Sequence, residues 1–290
     1  MSSAQGRDDA VAVRLPADYH VHTEWSWDTD VGSMERSCAR AVALGLPAIA
    51  FTEHVDHSSW QLARTGPYAN QNHLALAGAD GIIEPPPFDV SGYFESVERC
   101  RDLFPDLRIL SGVELGQPHW HKDACDAVLR SGPFDRVLGS MHCLPYGTTN
   151  AEPWLLYPVR DPDEVMRDYL AEVARLVSGS ATFEVLAHID YAVRSWPGGD
   201  FDPGRFEEEF RYALRATASA GRVLEVNTRI PLHETILGWW YAEGGAAISF
   251  GSDAHLPDLV AHGFREAAGM AEAYGFRAGR DPHDFWPRRR

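Results

Sequence analysis

Five of the thirteen histidines in this chain stand where an apolar strand would deliver a ligand to a metal ion. The segments read Asp18-Tyr19-His20-Val21-His22, Ala50-Phe51-Thr52-Glu53-His54, Val185-Leu186-Ala187-His188 and Phe250-Gly251-Ser252-Asp253-Ala254-His255, with His255 just past the last strand. Gly112-Val113-Glu114 and Gly139-Ser140-Met141-His142 end the same way. Residues i and i+2 of a strand face one side, so His20 and His22 can bind one ion from a single strand. A lone H-x-H is weak evidence, and a lone His54, His142 or His188 is more commonly a satisfied, partly buried histidine. Their repetition at strand ends, together with Glu114 and Asp253, points to one site assembled from many strands. Buried charged groups need partners, and a metal cluster supplies them. A mixture of imidazole and carboxylate suits zinc, manganese or iron.

The elements that must position these residues follow from hydrophobic periodicity. Strands are predicted over 19–22, 48–52, 108–113, 137–142, 183–188, 223–226 and 248–252. Helices are predicted over 33–44, 92–104, 122–130, 163–177, 205–220, 234–243 and 259–273, with Ser91, Asp163 and Asp202 as caps at or near their starts. This alternation is that of a parallel β/α architecture, and seven units make a barrel one short of eight. No linker divides the chain, so residues 15–290 are expected to form one domain behind a short disordered leader, 1–14. Two stretches break the rhythm, 58–90 and 144–161. Both follow strands on the face that carries active sites in such barrels. Loops as long as the first are usually functional lids or poorly ordered.

Composition excludes several classes of partner. The net charge of −16 repels nucleic acid and anionic membrane, and the tail Arg288-Arg289-Arg290 is too short to alter that. No run of about 18 apolar residues exists, so no transmembrane helix is expected. Cys38, Cys100, Cys125 and Cys143 are scattered and form no C-x-x-C pair. They read as reduced thiols of a cytoplasmic protein, with Cys143 in a packing role.

Taken together, the motifs resemble those of the PHP (polymerase and histidinol phosphatase) superfamily. They run from His20-x-His22-Thr23 through Thr52-Glu53-His54, Gly112-Val113-Glu114-Leu115-Gly116, Gly139-Ser140-Met141-His142, Ala187-His188-Ile189-Asp190 and Glu225-Val226-Asn227-Thr228 to Gly251-Ser252-Asp253-Ala254-His255. The chain looks most like the histidinol-phosphate phosphatase branch, over about residues 18 to 265. The resemblance implies an α/β fold, a distorted (β/α)7 TIM-like barrel, and three divalent metal ions. The first would take His20, His22, Glu114 and Asp253. The second would share Glu114 and add His142 and His188. The third would take Asp28, His54 and His255; some relatives carry a histidine where this chain has Asp28. Glu114, Asp253 and His255 would also be catalytic. Where family members often show Asp-His, this chain has Glu53-His54, and Glu53 is expected to orient His54.

Clustered metals acidify a bridging water to hydroxide near neutral pH, which can attack phosphorus in line while the ions neutralise the phosphate oxygens. The expected substrate is a small phosphate monoester, L-histidinol phosphate first. Arg160, Arg194 and Arg229, from loops on the same face, are candidates to hold its phosphate through bidentate hydrogen bonds. Glu24, Glu53 and Asp56 are candidates for its ammonium. His119 and His121 are read as a substrate-facing loop or exposed surface. Three other readings compete: a PHP phosphoesterase acting on nucleotides or oligonucleotide ends, an amidohydrolase-type hydrolase, and a non-enzymatic metal-binding protein. The amidohydrolase type commonly bridges its metals with a carbamylated lysine. Glu114 occupies that place here, and Lys122 is the chain's one lysine.

Overall fold

The computed structural model describes residues 15–65 and 71–289. The expected leader, 1–14, lies outside the described residues. Seven parallel strands follow one another round the main sheet: β1 (Asp18–Val21), β2 (Ala48–Asp56), β3 (Arg108–Gly116), β4 (Arg136–Ser140), β5 (Val185–Leu186), β6 (Val223–Asn227) and β7 (Ala247–Gly251). The sheet curls until β1 lies beside the chain that follows β7, where Val21 and Ala254 form a parallel bridge. A short terminal strand, β8 (Trp286–Pro287), adds antiparallel to the start of β7. The expected seven-stranded barrel is therefore present; the eighth strand went unforeseen.

Alternation along each strand sorts side chains between two cores. Ile49, Phe51, Leu224, Val226, Ile248 and Phe250 face outward and pack with helix residues such as Met34, Cys38, Tyr93 and Val97. Ala48, Ala50 and Leu110 face inward with Tyr19. Phe285, from the C-terminal segment, packs against them and against Leu138, Val185 and Ala187. The Arg136 guanidinium lies over the Tyr19 and Phe285 rings, 4.8 and 4.7 Å from their centroids. An apolar plug thus fills the end of the barrel where the strands begin, and polar residues are left to the end where they stop.

The predicted helices form, with small shifts at their ends. Asp161 caps Pro162–Gly179 by accepting from Asp163 and Glu164 N–H, and Asp89 caps Val90–Leu103 through Gly92 N–H. These replace Asp163 and Ser91 as the caps, because a cap must precede the first turn whose free N–H groups it satisfies. The two irregular stretches are not separate loops. Trp60–Gln61 and Ile82–Ile83 from the first join Leu144–Tyr146 and Thr149–Ala151 from the second in a four-stranded sheet. Cys143 is buried beside Trp60, Leu62 and Ile83 beneath it, in the packing role expected. No helix among the described residues is long and apolar enough to cross a membrane.

The β1–β7 seam depends on Asp18. Its Oδ1 accepts Ser252 N–H at 3.0 Å, and its Oδ2 accepts the Ser252 hydroxyl at 2.6 Å and Ala261 N–H at 2.8 Å. Burial pushes its carboxyl up to about 6 against the pull of those hydrogen bonds. Asp18→Ala strands three buried donors, each worth roughly 1–3 kcal/mol when unsatisfied. Denaturant unfolding of the metal-free variant should show a loss of about 3 kcal/mol or more; an unchanged midpoint would remove Asp18 from the seam.

Candidate metal centre

Strand register builds the site. β2 and β3 pair continuously from Ala48↔Arg108 to Asp56↔Gly116, which sets His54 directly opposite Glu114 on the inward face. Glycines flank Glu114 on that face for a steric reason. A Cβ on Gly112 would lie 2.7 Å from Thr52 Cγ2, and one on Gly116 would lie 1.9 Å from Asp56 Oδ1. Gly251, on β7, does the same for another pair: its Cβ would fall 2.0 Å from Glu225 Oε1 and 2.5 Å from His20 Cβ. Small residues between large polar ones let neighbouring strands crowd their ligands into one space.

Glu114 sits at the centre, fully buried. Its Oε1 lies 2.7 Å from His188 Nε2 and 3.3 Å from His142 Nε2. Its Oε2 lies 3.1 Å from His54 Nδ1, 3.2 Å from His20 Nε2 and 3.5 Å from His22 Nε2. Yet Oε2 makes no hydrogen bond, although it is buried. An acceptor ringed by nitrogens that do not donate to it has the surroundings of a metal ligand. His22 Nε2 is 3.0 Å from His20 Nε2 and 3.5 Å from Asp253 Oδ1. Asp28 Oδ2 lies 3.1 Å from His255 Nε2 and 3.4 Å from His54 Nε2. Donor atoms of His20, Glu114 and His188 lie within 4.8 Å of one another, as do those of His20, His22 and Asp253, and of His22, His54 and His255. All nine expected ligands are thus gathered at one place, and their chemistry and spacing fit divalent cations.

The charges are mutually dependent. Burial alone would raise Glu114, but the imidazoles of His20, His54, His142 and His188 hold it well below the usual carboxylate range. Asp253 is likewise buried and is held well below that range by Arg194 and Arg229. Burial lowers both His20 and His22. For His20 the carboxylates of Glu225 and Glu114 win and raise it; for His22 the neighbouring His54 and His255 add to burial and keep it neutral. Asp253 also takes a left-handed backbone with φ 52°, rare for a residue with a side chain, immediately after its N–H bonds His20 O at 2.7 Å.

Supporting residues differ in part from expectation. Glu53 does not orient His54 through its side chain. It accepts from Thr23 N–H, the Thr23 hydroxyl and the Ser26 hydroxyl, and Ser26 Oγ lies 3.0 Å from His22 Nδ1. The neighbour of a strand ligand faces the other way, so Glu53 reaches the loop after β1 rather than the next ring on its own strand. Burial pushes its carboxyl up to about 7. Glu225 was not anticipated as a support. It touches His20 Nδ1 at 2.6 Å and accepts His188 N–H at 2.8 Å, replacing the strand partner that β5 loses after Leu186. Its place in an apolar strand, two residues before Asn227, was the available signal. Asp56 was expected at a substrate ammonium; it lies 3.4 Å from His142 Nδ1, and donor atoms of His54, Asp56 and His142 form a further cation-sized group. Glu24 caps a helix through Met34 N–H instead of facing substrate.

One cleft of about 780 Å³ opens onto this centre, lined among others by Asp28, His54, His142, Arg194, Arg229 and Asp253. Arg194 pairs with Asp253 Oδ2; Arg229 lies 3.2 Å from Asp253 Oδ1 and 2.8 Å from His255 Nδ1. Arg160 does not join them. Its guanidinium pairs with Asp168 in the second turn of the following helix, and it does not line the cleft. His119 is also withdrawn: it and Trp120 both bond Glu172 Oε1, while His121 meets the Ser58 hydroxyl. Lys122 is exposed and paired with Asp126, so it is no metal bridge.

Comparison with known proteins agrees with this geometry. A family model described as the PHP domain matches residues 18–229, which include His20, His22, Asp28, His54, Glu114, His142 and His188. A histidinol-phosphatase of Lactococcus lactis subsp. lactis is 28% identical over 255 residues, covering 82% of this chain and 84% of that protein. A probable histidinol-phosphatase of Deinococcus radiodurans is 28% identical over 267 residues, covering 88% and 91%. The crystal structure of histidinol phosphate phosphatase from Lactococcus lactis subsp. lactis, complexed with zinc, L-histidinol and phosphate, aligns with a TM-score of 0.74 at 24% identity, over 93% of this chain and 98% of that one. A putative histidinol phosphatase from Listeria monocytogenes aligns at 0.66 and 17% identity, over 86% and 99%. With the family model spanning most of the chain, and the ligand-bearing strands in the same order as its motifs, this protein belongs to the PHP domain family, in the branch that resembles these histidinol phosphatases.

Proposed function

We infer that this chain is a metal-dependent phosphatase that hydrolyses L-histidinol phosphate. The observation that carries the reading is the cleft itself. Its floor is a cluster of imidazoles and carboxylates about Glu114, and two guanidiniums stand at its edge. Such a floor binds divalent cations, and such an edge binds a phosphate. The relatives named for histidinol phosphate supply the alcohol part.

Three ions are our assignment, with His20, His22, Glu114 and Asp253 holding the first, Glu114, His142 and His188 the second, and Asp28, His54 and His255 the third. The donor groupings and the orphaned Glu114 Oε2 support it. Zinc, manganese and iron all suit these donors. Bound divalent ions acidify water and neutralise phosphate oxygens, which is the chemistry phosphate hydrolysis needs. The protein's own residues do the rest. Glu114, with both oxygens among the imidazoles, would hold two of the ions at once. Glu225 and Ser26 fix the rings of His20 and His22 through their Nδ1 atoms. Arg194 and Arg229 present N–H donors beside Asp253, where the phosphate would lie. Trp27 and Trp60 wall the cleft and narrow the access of water.

The net charge of −16 favours a small substrate over nucleic acid and disfavours an anionic membrane surface. We take residues 15–290 as one domain, a reading supported by the pairing of terminal β8 with β7. The four cysteines are free and buried, which fits the cytoplasmic expectation.

A phosphate-release screen of metal-loaded protein should find L-histidinol phosphate preferred over simple aryl phosphates by at least about tenfold in kcat/KM. Equal turnover of aryl phosphates, or a preference for a phosphodiester, would reject the substrate. Glu114→Gln should lower turnover by on the order of 100-fold or more, and near-normal turnover would remove it from the bridge. Metal loading should also release protons. Burial opposes a charge on His142, but Glu114 and Asp56 push its imidazole up to about 10 from 6.5. That proton stabilises the metal-free fold fully below the ordinary value, and its contribution is lost as pH rises towards 10. An ion needs the nitrogen bare, so metal affinity should rise with pH across this window. Calorimetry at pH 8 in two buffers of different ionisation enthalpy reads the release; none would contradict the charge state of His142.

A further inference from the structure

The cleft is lined, besides the residues of the centre, by Trp27, Trp60, Glu152, Trp154 and Tyr191. Four carboxylates line the cleft. Three lie against imidazole or guanidinium groups: Asp28 with His54 and His255, Asp56 with His142, and Asp253 with Arg194. Glu152 differs. Its Oε1 accepts the Tyr191 hydroxyl at 3.2 Å and its Oε2 accepts the Trp154 indole N–H, both neutral donors. No lysine or arginine pairs with it among the described residues. A half-buried carboxylate with neutral partners and aromatic faces nearby attracts a cation by charge and by the ring quadrupole.

Tyr191 stands between the imidazoles of the centre and Glu152. Its ring lies 5.1 Å from the His142 ring and 5.2 Å from the His188 ring, and Arg194 covers its face at 4.8 Å. Its hydroxyl, at the far edge, reaches Glu152. One phenol therefore separates the place where phosphate would sit from an acid that accepts hydrogen bonds from neutral donors and has no lysine or arginine paired with it among the described residues. The small sheet holds that acid in position: Trp60 pairs with Asn150 and Gln61 with Ala151, and Glu152 follows directly.

We propose that Glu152, with the indoles beside it, is the subsite that selects a phosphate ester whose alcohol part carries a protonated nitrogen. It takes the role for which Glu24, Glu53 and Asp56 were candidates. The proposal deepens the phosphatase reading and rests on it.

The test uses the metal-loaded full chain. kcat/KM is measured for L-histidinol phosphate and for phenyl phosphate, whose alcohol part is uncharged. Glu152→Gln removes the charge with little change of volume and should lower the ratio of the two values at least about tenfold, chiefly through KM. Glu152→Asp, which keeps the charge, should recover part of the ratio. A ratio unchanged within about twofold overturns the subsite while leaving the phosphatase intact. Calorimetric titration with L-histidinol separates the two ideas further. Wild-type protein should bind it and Glu152→Gln should bind it more weakly; equal binding, or none by the wild type, overturns the proposal. Absence of turnover of either ester by the wild type would instead sink the phosphatase reading, and the L-histidinol titration would still decide the role of Glu152.

Discussion

A carboxylate buried without solvent and ringed by five imidazoles is the constraint that organises this molecule. Glu114 would be expensive to bury as an isolated charge. It is tolerated because His20, His22, His54, His142 and His188 converge on its two oxygens from four different strand ends or the turns beyond them. Each of those rings in turn needs its strand at a fixed height and register. The barrel is thus a device for bringing many short strands to one point, and the acid at that point makes their exact order matter.

The glycines beside the ligands express the same demand in steric terms. Gly112, Gly116 and Gly251 face inward next to Thr52, Asp56, and the Glu225–His20 pair. A methyl group at any of them would collide with a polar side chain already confined by the cluster. Closure of the barrel is equally tied to chemistry. Asp18 joins β1 to Ser252 and Ala261; His20, two residues after Asp18, and Asp253, directly after Ser252, share the same donor group. Loss of the seam would disturb the site before it unfolded the rest.

The two ends of the barrel have opposite jobs. Phe285, Tyr19 and Arg136 fill the end where strands begin with apolar and stacked groups. At the other end a small sheet roofs the cleft and brings aromatic walls and Glu152 to it. The proposed phosphate chemistry and selection of the alcohol part would therefore fall to different layers, one to the barrel and one to the roof.

Much of the candidate centre was legible in the sequence, because ligand-type residues at strand ends combine two signals, residue type and position in an apolar run. His20, His22, His54, Glu114, His142, His188, Asp253 and His255 all announce themselves in this way, and the seven strands follow from the same runs. What the sequence could not convey depends on contacts between distant segments. Glu225 looked like one more polar residue in a strand until the curl of the sheet set it beneath His20 and His188. Glu53 supports His22 through Ser26, since a neighbour in a strand faces away from the ligand beside it. Arg160 has the right type and lies on the right stretch, yet the helix after it offers Asp168 at closer reach. Stretches 58–90 and 144–161 read as irregular because strands of two or three residues leave no periodicity to detect. Spacing along one chain reports what a strand can present; only the closed sheet decides which side chains from separate strands meet.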